Sequence, residues 1–301
     1  MADRAEPAVR TIPVQRIRPG EHACTTYAGA AAKWPLLDAF VRQGVLAGDK
    51  VLVLLHPKVT GEELLDRLGA RGTIVQRAWR SGQLELTSMR ELLGPGAVFS
   101  TARQSRLLVK KSDLAVAQGF AAARAYIDMD WVADLGIDLA EVLARESSVT
   151  HLFDGRPYSE VCAYDENLFH PDVLRAVHAA HPVHLLGQVG SLLAVHASDR
   201  PALRLVGEAD IATATEFDAA LRTAFAARAE TAGDHLSVDL SSVHFLSAGC
   251  AAQLLRHAGR VRGPGRTTLA CTATQRRILR RLGADTIDTL VLVEATEEGR
   301  C

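Results

Sequence analysis

Apolar residues fall on one side of a helix in AAKWPLLDAFVRQGVLAG, where Trp34, Leu37, Val41 and Val45 recur at spacings of three and four. Before it, EHACTTYAG reads as a strand running into a glycine turn. After it, Val51 to Leu55 are continuously apolar, as suits a parallel strand covered on both faces. TGEELLDRLGARG predicts a helix with Thr60 as its cap and Glu63 three positions on, the spacing of a capping box. GQLELTS predicts another strand, a helix is expected through Ala115 to Tyr126, and DLAEVLARESSVTHLF predicts a further helix. YSEVCAYDENLF has the pattern of a strand and its exit, and HPDVLRAVHAAHP that of a short helix stopped by Pro182. Strands alternating with helices in this order build a parallel sheet through right-handed crossovers.

Periodicity fades around VHLLGQVGSLLAVHASDRPA, which ends in a polar, proline-containing stretch expected to join two domains. A second pattern then begins: strand ALRLVGEAD, helix TATEFDAALRTAFAARAE, strand HLSVDLSSVHF, helix GCAAQLLRHAGRVRG, strand RTTLACT, helix TQRRILRRLG and strand TLVLVEA. The predicted layout is an extension over 1–19, a first domain over 20–187, a linker over 188–198 and a second domain over 199–301. Both domains read as α/β.

Composition narrows the function classes. In 301 residues, 34 Lys and Arg stand against 35 Asp and Glu, so no general electrostatic attraction to nucleic acid or to an anionic membrane is expected. The opening MADRAEPAVRTIPVQRIRPGEHA lacks the apolar centre of a signal peptide, and no apolar run reaches the length of a membrane span. A cytoplasmic location is the expectation. Cys24, Cys162, Cys250, Cys271 and Cys301 are odd in number and form no CxxC pair, which suits reduced thiols.

Two groups of residues carry candidate chemistry. His22 and Cys24 are two apart on a predicted strand and share a face, so Cys162 from a neighbouring strand could join them around a metal. His170, His178, His181 and His184 follow, with 178 and 181 on one helical face before Pro182. No second close ligand pair is evident, so neither a metal nor another cofactor is assigned. At the carboxyl ends of parallel strands, where open α/β sheets bind ligands, Tyr27, Gly29, Tyr164 and Asp165 are expected to emerge. RAYIDMDW adds Arg124, Asp128, Asp130 and Trp131 to the same candidate pocket.

The second domain, with LVGEAD and VDLSSVHFLSAGCAAQLL, resembles the STAS domains of bacterial anti-sigma factor antagonists over about Pro201 to Ala295. Glu208 and Asp210 match the family's acidic residue after the opening strand, and Asp239, Leu240 and Ser241 its DLS segment. The resemblance implies a phosphorylatable Ser or Thr at the next helix start, within a pattern close to F-x-D-S-S/T-G-L. Phosphate there would meet free backbone N–H groups and the positive end of the helix dipole. Aligned on Phe245, however, Ser247 stands at the family Asp, Ala248 at the first Ser, Gly249 at the acceptor and Cys250 at the following Gly. Shifted by one, Ala248 takes the acceptor position. Both registers lose the hydroxyl, so Ser247, Ala248, Gly249 and Cys250 read as a degenerate switch or docking corner.

The first domain is similar to the MEDS domain, the sensory domain named for methanogens, methylotrophs and the dichloromethane-responsive regulator DcmR. HACTTY, FVRQGVLAGDKVLVLL, GFAAARAYIDMDWV, VCAYD and AAHP carry the resemblance, in order, from about Gly20 to Leu186. It implies a ligand-sensing relative of the RecA and KaiC ATPase fold. A phosphate-binding loop needs G-x-x-x-x-G-K-[ST], whereas this chain has Gly29, three alanines, Lys33 and Trp34. The second glycine and the magnesium-binding hydroxyl are missing, so the loop reads as degenerate and no catalytic residue is assigned.

Together the resemblances imply a non-enzymatic signalling protein: a sensor of a small-molecule ligand that controls a module binding an anti-sigma factor or serine-kinase-like partner. The rival readings are a divergent RecA-like nucleotide hydrolase and a metal or redox sensor built on His22, Cys24 and Cys162. The sequence leaves a homodimer open.

Overall fold

The computed structural model describes residues 9–56, 58–88, 100–132, 139–230, 235–261 and 265–295. The chain divides into two compact units, Met1–Val189 and Gly190–Cys301.

In the first unit a seven-stranded sheet has the order β1-β7-β2-β6-β5-β3-β4, and every pairing is parallel. Its strands are β1 (Arg10–Ile12), β2 (His22–Tyr27), β3 (Lys50–Leu55), β4 (Leu84–Ser88), β5 (Ala123–Asp128), β6 (Tyr158–Asp165) and β7 (Val183–Leu185). The helices are α1 (Gly29–Ala47), α2 (Gly61–Arg67), α3 (Ile74–Arg80), α4 (Thr101–Ala117), α5 (Leu139–Ser148) and α6 (Pro171–Ala180). Alternating strand residues feed two cores. On one face, Ala23, Tyr27, Tyr126 and Val161 pack with Leu37, Phe40 and Val41 of α1 and Val75 of α3. On the other, Cys24, Ala125, Cys162 and Tyr164 pack with Leu108 of α4, Val142 of α5 and Val177 of α6. Burial on both faces explains the unbroken apolar runs. Thr60 caps α2 by accepting the Glu63 N–H at 3.1 Å, as its spacing predicts.

The second unit is a five-stranded sheet of order β12-β11-β10-β9-β8. It comprises β8 (Leu192–His196), β9 (Ala202–Ala209), β10 (His235–Leu246), β11 (Arg266–Cys271) and β12 (Leu290–Glu294), with α7 (Ala214–Glu230), α8 (Ala248–Gly259) and α9 (Ala273–Arg281). Only β8 runs antiparallel. Phe217 and Leu221 of α7, Ala251 and Leu254 of α8 and Leu279 of α9 pack with the alternate residues Leu203, Leu236, Val238 and Leu269 of the sheet. From β9 onward the order of elements follows the pattern in the sequence.

Three expectations change. The helix expected through Ala115–Tyr126 ends at Ala117, and Gly119 at φ +90° turns the chain into β5, six consecutive buried residues at the centre of the sheet. Helix-forming alanines at 121–123 and 125 yield to the burial that a central strand offers. The expected linker 188–198 contains β8, which pairs with β9 from Leu192↔Gly207 to His196↔Leu203. The expected extension 1–19 contains β1, whose Ile12 is buried and whose Arg10 N–H donates to Pro182 O at 3.1 Å. Three- and five-residue edge strands are too short to show a period. The Asp138 start of one expected helix, the Arg262–Gly263 end of another and Cys301 lie outside the described residues.

Candidate functional site

β2 and β6 lie side by side in the register Cys24↔Cys162 and His22↔Glu160. This alignment sends His22, Cys24, Cys162 and Glu160 to one face of the sheet, as the two-residue spacing requires. α5 brings Arg145 and Glu146 over them, and the residue after α6, His181, closes the group. All seven are buried. Glu146 Oε2 stands 3.2 Å from His22 Nε2, 3.4 Å from His181 Nε2 and 3.6 Å from Cys162 Sγ. Arg145 donates to Glu146 at 3.0 Å and to Glu160 at 2.6 Å, while Tyr158 and Tyr164 donate their hydroxyls to Glu160 and Glu146 at 2.6 and 3.1 Å.

The electrostatics are those of an enclosed polar network. Burial alone would raise both carboxyls, but the Arg145 guanidinium overrides it, and Glu146 and Glu160 are held below the usual carboxylate range. Burial and the neighbouring His181 push the His22 pKa down. His181 goes up despite burial, because Cys162, Cys24 and Glu146 surround it with acceptors. Burial, reinforced by the two carboxylates, raises the Cys162 thiol far above the normal range. A thiol so protected is a poor nucleophile and a poor redox sensor.

A second polar group occupies the carboxyl ends of the strands on the α1 face. Lys33 forms ion pairs with Asp128 and, at 3.0 Å, with Asp130. The Tyr27 hydroxyl is 3.1 Å from each of these two carboxylates. Burial raises the Asp128 pKa to about 6 even with Lys33 beside it, and Asp128 in turn raises Lys33 against the effect of burial. The Gly29 N–H, which opens α1, donates to Asp165 Oδ1 at 3.1 Å. In a phosphate-binding loop the lysine and the first helical N–H groups face the nucleotide. Here protein carboxylates take both.

The remaining predicted residues separate. Arg124 sits at the opposite end of β5, donating to Asp49 at 2.7 Å beneath Phe40, so it does not join Asp128. Trp131 is 1% exposed within the apolar core. Tyr27 and Asp128 belong to the lysine group, whereas His22, Cys24, Cys162 and Tyr164 belong to the network on the other face. The His178 and His184 rings lie 4.7 Å apart at a tilt, and the His178 carbonyl accepts the His181 N–H at 3.3 Å. Glu146, Glu160, Arg145 and His181 complete the network. Glu146 and Arg145 lie on a helix far along the chain, and periodicity gives no sign that they fold over β2.

In the second unit, Ser247 caps α8 by accepting the Cys250 N–H at 3.2 Å, and its own N–H donates to Ala209 O at 2.8 Å. Cys250 is buried and its thiol donates to Asp210 O at 3.4 Å, tying the β9–α7 turn to the helix start. Ala248 and Gly249 are exposed, and a Cβ placed on Gly249 would meet only Ser247 Oγ, at 3.8 Å. Near this corner Phe245 is 52% and Ile211 95% exposed. Downstream, Gln275 donates to the Leu240 and Val243 carbonyls, at 3.0 and 2.9 Å, in the stretch where the register of β10 on β9 shifts.

Comparison with known proteins gives two family matches. Residues 21–182 match the model of the MEDS (MEthanogen/methylotroph, DcmR Sensory) domain, and residues 193–294 match a model described as Mlab, STAS domain. No curated protein matches the chain. Among solved structures, an anti-sigma factor antagonist from Mycobacterium paratuberculosis is similar at 19% identity and TM-score 0.30, covering 36% of this chain and 91% of its own. The flagellar accessory protein FlaH from Methanocaldococcus jannaschii is similar at 10% identity and TM-score 0.38, covering 64% of this chain and 80% of its own.

Proposed function

The chain belongs to the MEDS family, whose domain spans more than half of it, and carries a STAS domain behind, and from that premise we propose that it is a non-enzymatic cytoplasmic signalling protein. In this reading the MEDS domain senses a small molecule, and the STAS domain binds an anti-sigma factor or a related kinase-like partner. The observation that carries the output half is the α8 corner. It presents exposed Phe245 and Ile211 and an open helix start, yet Ala248 and Gly249 stand where a phospho-acceptor would be. Binding is then insensitive to a serine kinase and is controlled from the MEDS domain, whose ligand must favour one domain arrangement over another.

The non-enzymatic half is supported by the lysine group. Lys33 is matched by Asp128 and Asp130, and Asp165 accepts from the Gly29 N–H. Phosphoryl transfer depends on positioning the phosphates and Mg²⁺, and neither the loop glycine nor the magnesium hydroxyl is in place. We expect no saturable magnesium-dependent ATP turnover, and no change on Lys33→Ala; turnover that Lys33→Ala abolishes would restore the hydrolase reading. For the output, the full chain is used as bait in its native cytoplasm, and captured proteins are identified by mass. A kinase-fold anti-sigma factor captured by the wild type and lost with Phe245→Asp supports the proposal. Its absence from the wild-type capture refutes the partner assignment.

A further inference from the structure

We propose that the buried network of the MEDS domain is a closed site for a divalent transition metal of the zinc class, ligated by His22 Nε2, Cys162 Sγ, Glu146 Oε2 and His181 Nε2. The four donors lie within 4.8 Å of one another, and all four residues are buried. Metal–ligand bonds of about 2.0–2.3 Å in a tetrahedron place donor atoms about 3.3–3.8 Å apart. The measured separations are 3.2 Å for His22 to Glu146, 3.4 Å for His181 to Glu146, 3.6 Å for Cys162 to Glu146 and 3.8 Å for Cys162 to His22. Four of the six donor pairs thus stand close to tetrahedral spacing, and the other two lie within 4.8 Å.

A second observation comes from His181. Its Nδ1 lies 2.8 Å from Val177 O, an acceptor only, so Nδ1 carries a proton and Nε2 is the nitrogen that a metal takes on displacing the second proton. That Nε2 makes no hydrogen bond and faces the Glu146 carboxylate at 3.4 Å. In a residue 1% exposed, an imidazole nitrogen facing a carboxylate needs a cation at that point, either a proton or a metal ion that replaces it. The surrounding groups suit a metal's outer layer: Val177 O fixes the His181 tautomer, Tyr164 and Arg145 hold Glu146, and His22 stacks on Phe153 at 4.7 Å. Mixed imidazole, thiolate and carboxylate donors favour zinc over magnesium or calcium. With Cys162 as thiolate, the anions Cys162, Glu146 and Glu160 balance a divalent ion and Arg145 in charge. Four protein ligands leave no open position, so the metal has a structural or occupancy-sensing role and not a catalytic one.

The test uses the full chain, stripped with chelator and then titrated separately with Zn²⁺ and Co²⁺. We expect uptake of about one equivalent, a thiolate-to-cobalt charge-transfer band that zinc abolishes, and a rise in unfolding temperature on loading. Cys162→Ser should lose the band and weaken zinc binding by about tenfold or more, while Cys250→Ser in the other unit keeps both. If Cys162→Ser does not fold, the wild-type cobalt spectrum decides alone. A folded wild type that takes up no zinc, or shows no thiolate band with cobalt, overturns the site and leaves a proton on His181 as the cation. Zinc binding that Cys162→Ser leaves unchanged overturns it equally. None of these outcomes depends on the partner of the STAS domain.

Discussion

Ser247 does one measurable thing in this fold: it satisfies the Cys250 N–H at the start of α8. Ser247→Ala therefore removes an N-cap and should cost about 1 kcal/mol, read as a few degrees in thermal unfolding. Gly249→Ser should be tolerated within about 0.5 kcal/mol, because the added side chain enters open space on a helix where glycine is a poor former. That variant puts a hydroxyl at the family's acceptor position in the register aligned on Phe245, and Ala248→Ser does so in the other, so one of the two should accept phosphate from a STAS-directed kinase that leaves the wild type unmodified; phosphate on wild-type Ser247 would contradict this. Glu85 supplies a pH signature. Although partial burial opposes it, Lys111 and Lys50 lower its pKa to about 2. Its contribution is full above the unfolded value of 4.5 and fades as pH falls toward 2. At 37% side-chain exposure that contribution is below about 1 kcal/mol. Unfolding measured at pH 7 and pH 3 should show a smaller difference in Glu85→Gln than in the wild type.

At the scale of elements, α1 lies close enough to β3 and β5 that a Cβ on Gly44 would stand 2.6 Å from Arg124 Cδ and 2.7 Å from Val51 Cγ2. Arg124 is pinned by Asp49 and cannot swing away. Gly44→Ala should thus destabilise by about 1–3 kcal/mol, despite alanine's better helix propensity, and chemical denaturation will show it. The lysine group should behave as a buried pair: Lys33→Met leaves two carboxylates facing each other and should cost about 3–5 kcal/mol near neutral pH. The Asp128 pKa is raised in the fold, so its folded form holds a proton more tightly than the unfolded chain does. The loss in Lys33→Met should therefore shrink below pH 6, and Asp128→Asn added to it should recover part of the stability.

The same scale shows what could be read from the sequence. The β2, β3 and β6 strands and the alternation of the STAS unit from β9 onward followed from periodicity, and so did the shared face of His22, Cys24 and Cys162. The strand β5 did not, because RAYID follows an alanine-rich stretch and only its central place in the sheet, buried on both faces, makes it extended. Glu146 was beyond pattern reading too, and His181, singled out with His178 by its spacing, gave no sign that it meets His22. They reach the histidine–thiol pair from α5 and from the end of α6, through helix–sheet packing that no local spacing encodes.

For the whole molecule, the two compact units coincide with the two family matches, residues 21–182 in the first and 193–294 in the second. In the MEDS unit the Gly29 N–H and Lys33 at the start of α1 meet the unit's own carboxylates, and an enclosed polar network lies on the other face of the sheet. In the STAS unit, Ser247 caps α8 and Ala248 and Gly249 stand exposed at its start. Among the described residues no helix is long and apolar enough to cross a membrane. The most direct test of the signalling account is titration calorimetry of the full chain against the kinase-fold anti-sigma factors of its own cell, with Phe245→Asp alongside. Saturable binding to one of them, weakened at least about tenfold by the substitution, is the predicted result. Binding to none of them by the folded wild type, or binding indifferent to Phe245, would contradict it.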